Sequence, residues 1–66
     1  MQITVNGEPR QLSDGTSLAE LVAAISDRDT GIAVAVNSEV IPRSGWRGTE
    51  VADGDRVDVV TAVQGG

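Results

Sequence analysis

Neither cysteine nor histidine occurs in this 66-residue chain, and the two absences remove most catalytic chemistry before any pattern is read. Without cysteine there is no disulfide framework, no thiolate metal site and no thiol nucleophile. Without histidine, the usual acid/base group near neutral pH and the commonest metal ligand are both missing. Carboxylates remain, but the ten Asp and Glu residues are spread over turns and surface positions and converge on no motif. Lysine is absent as well, since all five basic residues are arginine. A preference for arginine codons is the simplest cause. A chemical alternative is that a protein whose carboxyl group becomes activated gains from lacking side-chain amines that would attack it.

Trp46 is the single aromatic residue. A lone tryptophan in a small chain more often plugs the edge of the core than anchors a partner, so Trp46 is expected as a plug. No apolar run is long enough to span a bilayer, and no cationic leader precedes an apolar segment, so a cytoplasmic protein without a membrane partner is expected. The net charge of -5, with a pI near 4.2, repels phosphate backbones and attracts basic patches on other proteins, which sets nucleic acid aside as a partner.

The length allows one core, and hence a single domain over residues 1–66. A chain of this size buries only about 60% of the surface that its unfolded form exposes, which leaves little apolar material to wall a deep catalytic pocket. A non-enzymatic protein is therefore expected, with no bound cofactor or metal.

The opening "MQITV" alternates apolar and polar residues, with Met1, Ile3 and Val5 on one side, the period of a strand with one buried face. Asn6-Gly7 suits the positive φ angles of a type I′ turn, so a second short strand is predicted around Arg10 to Leu12. Pro9 cannot donate to a ladder and places that strand on a free edge. In "SLAELVAAI", Ser17 and Glu20 have the spacing of a capping box, and Leu18, Leu21, Val22 and Ile25 recur with helical period. Asp27 to Gly31 then ends the helix, and "IAVAV" reads as a central strand. Asn37 and Ser38 turn the chain, Val40 and Ile41 pair back, and Pro42 stops them. Arg43 to Thr49 has the composition of a surface loop. Asp53 and Gly54 make a turn, and the last strand sets Val57, Val59 and Thr61 against Asp58, Val60 and Ala62.

This order predicts an α+β fold of the β-grasp (ubiquitin-like) type, a mixed sheet of four to five strands with one main helix across one face. The strands at the two chain ends would lie side by side in the centre of the sheet. The last strand runs directly into "QGG", so residues 64–66 are expected to project as a flexible arm. Glycine lacks Cβ, and Gln64, Gly65 and Gly66 can therefore thread a narrow channel in a partner. The end group, a carboxylate on Gly66, is a poor electrophile that phosphoryl or adenylyl activation would turn into an acyl donor, provided that a partner supplies ATP, Mg²⁺ and the site. Two terminal glycines arise by chance in about 0.5% of chains, so alone they carry little weight. Joined to the β-grasp order and a strand that feeds straight into them, they carry more. If the helix covers Val57 and Val59, then Val60, Ala62 and Val63 next to the arm offer a docking strip, the plainer alternative being strand propensity alone.

Over essentially its whole length, through "MQITVNG", "TSLAEL", "AVAVNSEVIPRSGW" and "DGDRVDVVTAVQGG", the chain resembles the thiamine-pathway branch of the bacterial ubiquitin-like sulfur carriers, the ThiS family. The double glycine is shared by all such carriers, and "AVNSEVIPRSGW" with the short length points to this branch. The resemblance implies that the residue at Gly66 is the covalent carrier site. Its carboxylate would be adenylated by a ThiF-type adenylyltransferase related to ubiquitin activators, then converted to a thiocarboxylate with sulfur from a cysteine desulfurase or another donor. A ThiG-type thiazole synthase would consume that sulfur while building the thiazole of thiamine. The carrier is expected to be a monomer on its own. Carriers of the same fold for molybdopterin, cysteine or tRNA thiolation, and a ubiquitin-like modifier joined to target lysines through Gly66, are the alternatives.

Overall fold

The computed structural model describes residues 1–26 and 31–61. Strand β1 (Gln2–Val5) turns at Asn6 and Gly7 into β2 (Glu8–Gln11). The turn residues have φ of 52° and 83°, the two positive angles that a type I′ turn requires. Pairing begins two residues earlier than the expected Arg10 to Leu12, because a two-residue turn sets Glu8 directly opposite Val5. Pro9 sits within β2, opposite Thr4, and is tolerated because β2 is an edge strand.

Helix α1 (Leu18–Ile25) starts at the expected capping box. The Glu20 N–H donates to Ser17 Oγ at 3.1 Å, and Glu20 Oε1 accepts from the Ser17 N–H at 3.0 Å. The other free amides of the first turn are also paired. Leu18 donates to the Thr49 carbonyl at 2.8 Å and Ala19 to that of Trp46 at 3.2 Å, and the helix's own ladder begins with Leu21 donating to the Ser17 carbonyl at 3.0 Å. A filled helix N-terminus has no donors left for an anion. The helix closes at Ser26, which is extended and donates to the Val22 carbonyl. The expected stop at Asp27 to Gly31 falls mostly outside the described residues, although Gly31 has a φ of 72° that suits only glycine well.

Strand β3 (Ile32–Val36) turns at Asn37 and Ser38, again with two positive φ angles, into β4 (Glu39–Ile41). After a turn at Asp53 and Gly54, strand β5 (Arg56–Thr61) fills the middle of a five-stranded sheet of order β2-β1-β5-β3-β4. Strands β1 and β5 are parallel and the other neighbours antiparallel. This is the mixed sheet and single helix of the expected β-grasp, with the two end strands adjacent. The all-apolar β3 is internal rather than the middle strand, and the helix covers one face only, so Val34 is buried while Ala33 is exposed.

The core joins Ile3 and Val5 of β1, Leu18, Leu21 and Val22 of α1, Val34 and Val57, with Trp46 and Val51 from the connection before β5. Each fully buried aliphatic of this kind contributes about 1.5–3 kcal/mol. No polar or charged side chain is buried among the described residues. Trp46 is the expected plug, 4% exposed, with Nε1 donating to the Ile41 carbonyl at 2.9 Å. The predicted surface loop from Arg43 to Thr49 is more than that. It contains a single 3-10 turn (Arg43–Gly45), and its Trp46 and Thr49 carbonyls accept the first amides of α1. Composition marks a break in regular structure there and is blind to those tertiary bonds.

Acceptance of hydrogen bonds from Ser17 holds the Glu20 carboxyl below its ordinary value of 4.5. A depressed folded-state value means that the unfolded chain binds the extra proton first, so this stabilisation is present above pH 4.5 and is lost as the pH falls through the folded value. In urea titrations from pH 7 downward, the stability difference between the wild type and Glu20→Gln is expected to close once the pH drops below that range. A difference that stays constant would remove Glu20 from the acid response.

Candidate functional site

Strand β5 carries the chain toward its end, and its two faces differ. Val57 is fully buried and Val59 packs on the core, both toward the helix. Period-two alternation turns Arg56, Asp58 and Val60 to the open face of the sheet. There Val60 is 58% exposed, as the docking reading expects. Ala62 and Val63, the rest of that strip, lie outside the described residues, as do Gln64, Gly65 and Gly66.

What the structure adds to Val60 is a strip across strands rather than along one. Val60 faces Ala33 on β3, Ala35 faces Asp58 on one side and Val40 on the other, and Val40 is 68% exposed. The apolar line thus runs Val60, Ala33, Ala35, Val40 over three neighbouring strands. Sequence reasoning missed Val40 and Ala33, because their meeting with Val60 depends on the β3–β5 and β3–β4 registers. The readable signal was the "IAVAV" run itself, which leaves apolar residues on both faces of a strand that one helix can cover only once. Arg56 and Asp58, 3.5 Å apart and both partly exposed, form the polar border.

Two asparagines fix β5 in place. At its start, Asn37 donates its backbone N–H to the Arg56 carbonyl at 2.7 Å and accepts the Arg56 N–H on Oδ1 at 2.9 Å, while Nδ2 donates to Asp55 Oδ1 at 3.0 Å. Toward its end, Asn6 donates its backbone N–H to the Val57 carbonyl at 2.9 Å and accepts the Val59 N–H on Oδ1 at 2.8 Å. Asn6 Nδ2 also donates to the Val59 carbonyl at 3.2 Å. Each asparagine opens a type I′ turn, where positive φ is tolerated by this residue type.

No group of three or more Asp or Glu side chains that could hold a metal ion occurs among the described residues. No helix among them is long and apolar enough to cross a membrane. The described surface offers an exposed apolar strip beside a strand, β5, that turn residues brace at both ends.

Comparison with known proteins agrees with this geometry. The ThiS family model matches residues 3–66. The sulfur carrier protein ThiS of Escherichia coli (strain K12) is 33% identical over 66 residues, covering all of both chains. A thiazole synthase of Paramagnetospirillum magneticum is 30% identical over 66 residues, which is all of this chain and 20% of that protein. Among solved structures, the thiamine biosynthesis protein ThiS from Geobacter metallireducens superposes with a TM-score of 0.87 at 32% identity, covering all of both chains.

The two faces of β5 predict different responses to the same truncation. Val57→Ala is expected to lower stability by about 2 kcal/mol through lost burial and a residual cavity. Val60→Ala is expected to stay within about 0.5 kcal/mol of wild type, as exposed positions do. Urea denaturation of both variants checks this, and equal losses would contradict the assignment of the faces.

Proposed function

The chain belongs to the ThiS family, the sulfur carriers of thiamine biosynthesis, and we propose that it works as a single carrier domain through the carboxylate of Gly66. The observation that carries this reading is the end-to-end match with a curated sulfur carrier, together with a family match that runs to Gly66 itself. The chemistry of the chain supports it. With no cysteine there is no side-chain thiol on which sulfur would ordinarily be held, so the C-terminus is the natural site for the cargo.

In this reading the carrier is acted on and does not itself catalyse. A ThiF-type adenylyltransferase binds ATP and Mg²⁺; an oxygen of the Gly66 carboxylate attacks the α-phosphorus, pyrophosphate leaves, and an acyl adenylate forms. The terminal sulfur of a persulfide from a cysteine desulfurase attacks the adenylate and expels AMP, and a thiol then reduces the resulting acyl disulfide, leaving a thiocarboxylate and a disulfide; a sulfide donor would give the thiocarboxylate directly. A ThiG-type thiazole synthase takes the sulfur, and the carboxylate returns. The synthase partner has its own support, since a relative named thiazole synthase carries a stretch like this chain as a fifth of its length. Gln64, Gly65 and Gly66 thread the partner's channel, and the absence of Cβ on the two glycines keeps that thread thin. Val60, with Ala62 and Val63, docks on the partner beside the channel, and the exposure of Val60 favours this. The carrier meets these partners as a monomer in the cytoplasm.

Incubation with ATP, a sulfur donor and a working activating enzyme, followed by a thiol-alkylating reagent, is expected to add one alkyl group that maps to Gly66. The lack of cysteine leaves no competing thiol. Gly66→Ala should slow activation about tenfold, equivalent to about 1.4 kcal/mol in the transition state, by widening the thread. An unmodified mass, with an activating enzyme proven on a known carrier, would overturn sulfur transfer and turn the search to protein conjugates.

The docking strip has its own test. Val60→Asp is expected to weaken binding to the activating enzyme at least tenfold, because a carboxylate in the apolar contact must be desolvated without a partner. Unchanged affinity by calorimetry would assign Val60 to strand propensity alone.

A further inference from the structure

Strand β5 is unevenly supported along its length. On one side β3 accompanies it as far as the Ile32 and Thr61 pair. On the other side β1 ends at Val5, opposite Val57, and the chain turns away into β2. Beyond Val57, therefore, no strand among the described residues flanks β5 on the β1 side. Backbone groups left on such an edge are free to fray or to pair elsewhere.

At Val59 the edge is closed by a side chain. The Asn6 carboxamide takes both the N–H and the C=O of Val59, at 2.8 and 3.2 Å, as the backbone of a further strand residue would. The Asn6 backbone N–H already holds the Val57 carbonyl, so one residue covers successive rungs of the ladder. The turn alone does not ask for this. At a φ of 52° glycine would serve as well, and aspartate would keep the turn but lose the donor for the Val59 carbonyl. An amide side chain is what presents one donor and one acceptor together. Val59 immediately precedes the exposed Val60 and lies two residues before Thr61, from which the chain continues to its end.

We propose that Asn6 is a positioning residue for the carrier arm: its carboxamide replaces the missing strand at Val59 and fixes the direction in which β5 delivers the residues after Thr61 to a partner. This rests on the carrier reading for its functional consequence, whereas the latch itself is a property of the free protein. A braced root reduces the conformational freedom lost when the arm is inserted into a channel, and the cost of removing the brace falls on binding rather than on the chemical step.

Two variants keep the turn. Asn6→Gly removes both bonds, and Asn6→Asp retains an acceptor for the Val59 N–H while losing the donor. By amide hydrogen exchange in the free protein, Val59 is expected to exchange at least tenfold faster in Asn6→Gly and by an intermediate factor in Asn6→Asp, with the Leu21 amide of α1 unchanged in both. In the activation assay, Asn6→Gly should raise KM severalfold and leave kcat unchanged. Unaltered exchange at Val59, or acceleration of Leu21 in step with it, overturns the latch. A normal KM in a variant whose Val59 exchanges fast overturns the positioning role. A wild-type protein that a proven activating enzyme never modifies refutes the carrier function and with it the arm's role, and the exchange data then decide the latch alone.

Discussion

The parallel pairing of β1 with β5 is the constraint on which the rest of the structure depends. Only Thr4 with Arg56 and Val5 with Val57 are in register there, yet this short contact joins the first strand to the last and closes the sheet around its middle. Because the two strands run the same way, no hairpin can connect them, and everything between residues 5 and 56 must be the crossover. The helix, the β3–β4 hairpin and the Trp46 connection are the contents of that crossover. They supply the apolar cover that the paired strands lack.

So short a pairing needs help, and the help comes from turns. Asn6 and Asn37 each use a positive φ to bring a carboxamide beside β5, one near its end and one at its start. Asp53 and Asp55 do similar work at the turn before it. Asp53 accepts the Gln2 N–H at 2.7 Å, and Asp55 accepts the Ala52 N–H at 2.8 Å and gives its carbonyl to the Thr4 N–H at 3.0 Å. The residues that look like mere turn formers are thus also the ladder of the central strand. With no polar side chain buried among the described residues, these bonds sit at the ends of the sheet, where water shares the satisfaction of their remaining groups.

One consequence is a division of labour between the faces of the sheet. The helix face spends nearly all the large apolar residues, leaving the open face with small or short ones, of which Val40 and Val60 stand out. The open face thus carries an exposed apolar strip rather than a second packed core. Membership of the ThiS family fits that economy of parts.

Local patterns determined the elements themselves. The Ser17 and Glu20 spacing fixed the helix start, Asn6-Gly7 and Asn37-Ser38 fixed two turns, Pro9 marked an edge, and the solitary Trp46 read as a core plug, because each depends on bonds or sterics within a few residues. The Gly65-Gly66 pair is likewise read from sequence. Tertiary structure alone decided which residues meet across strands. It began β2 at Glu8. It gave the Trp46 and Thr49 carbonyls to the helix, lined up Val60 with Ala33, Ala35 and Val40, and set Asn6 against Val59. These contacts span up to 53 residues of chain, and no local preference encodes a register between segments so far apart.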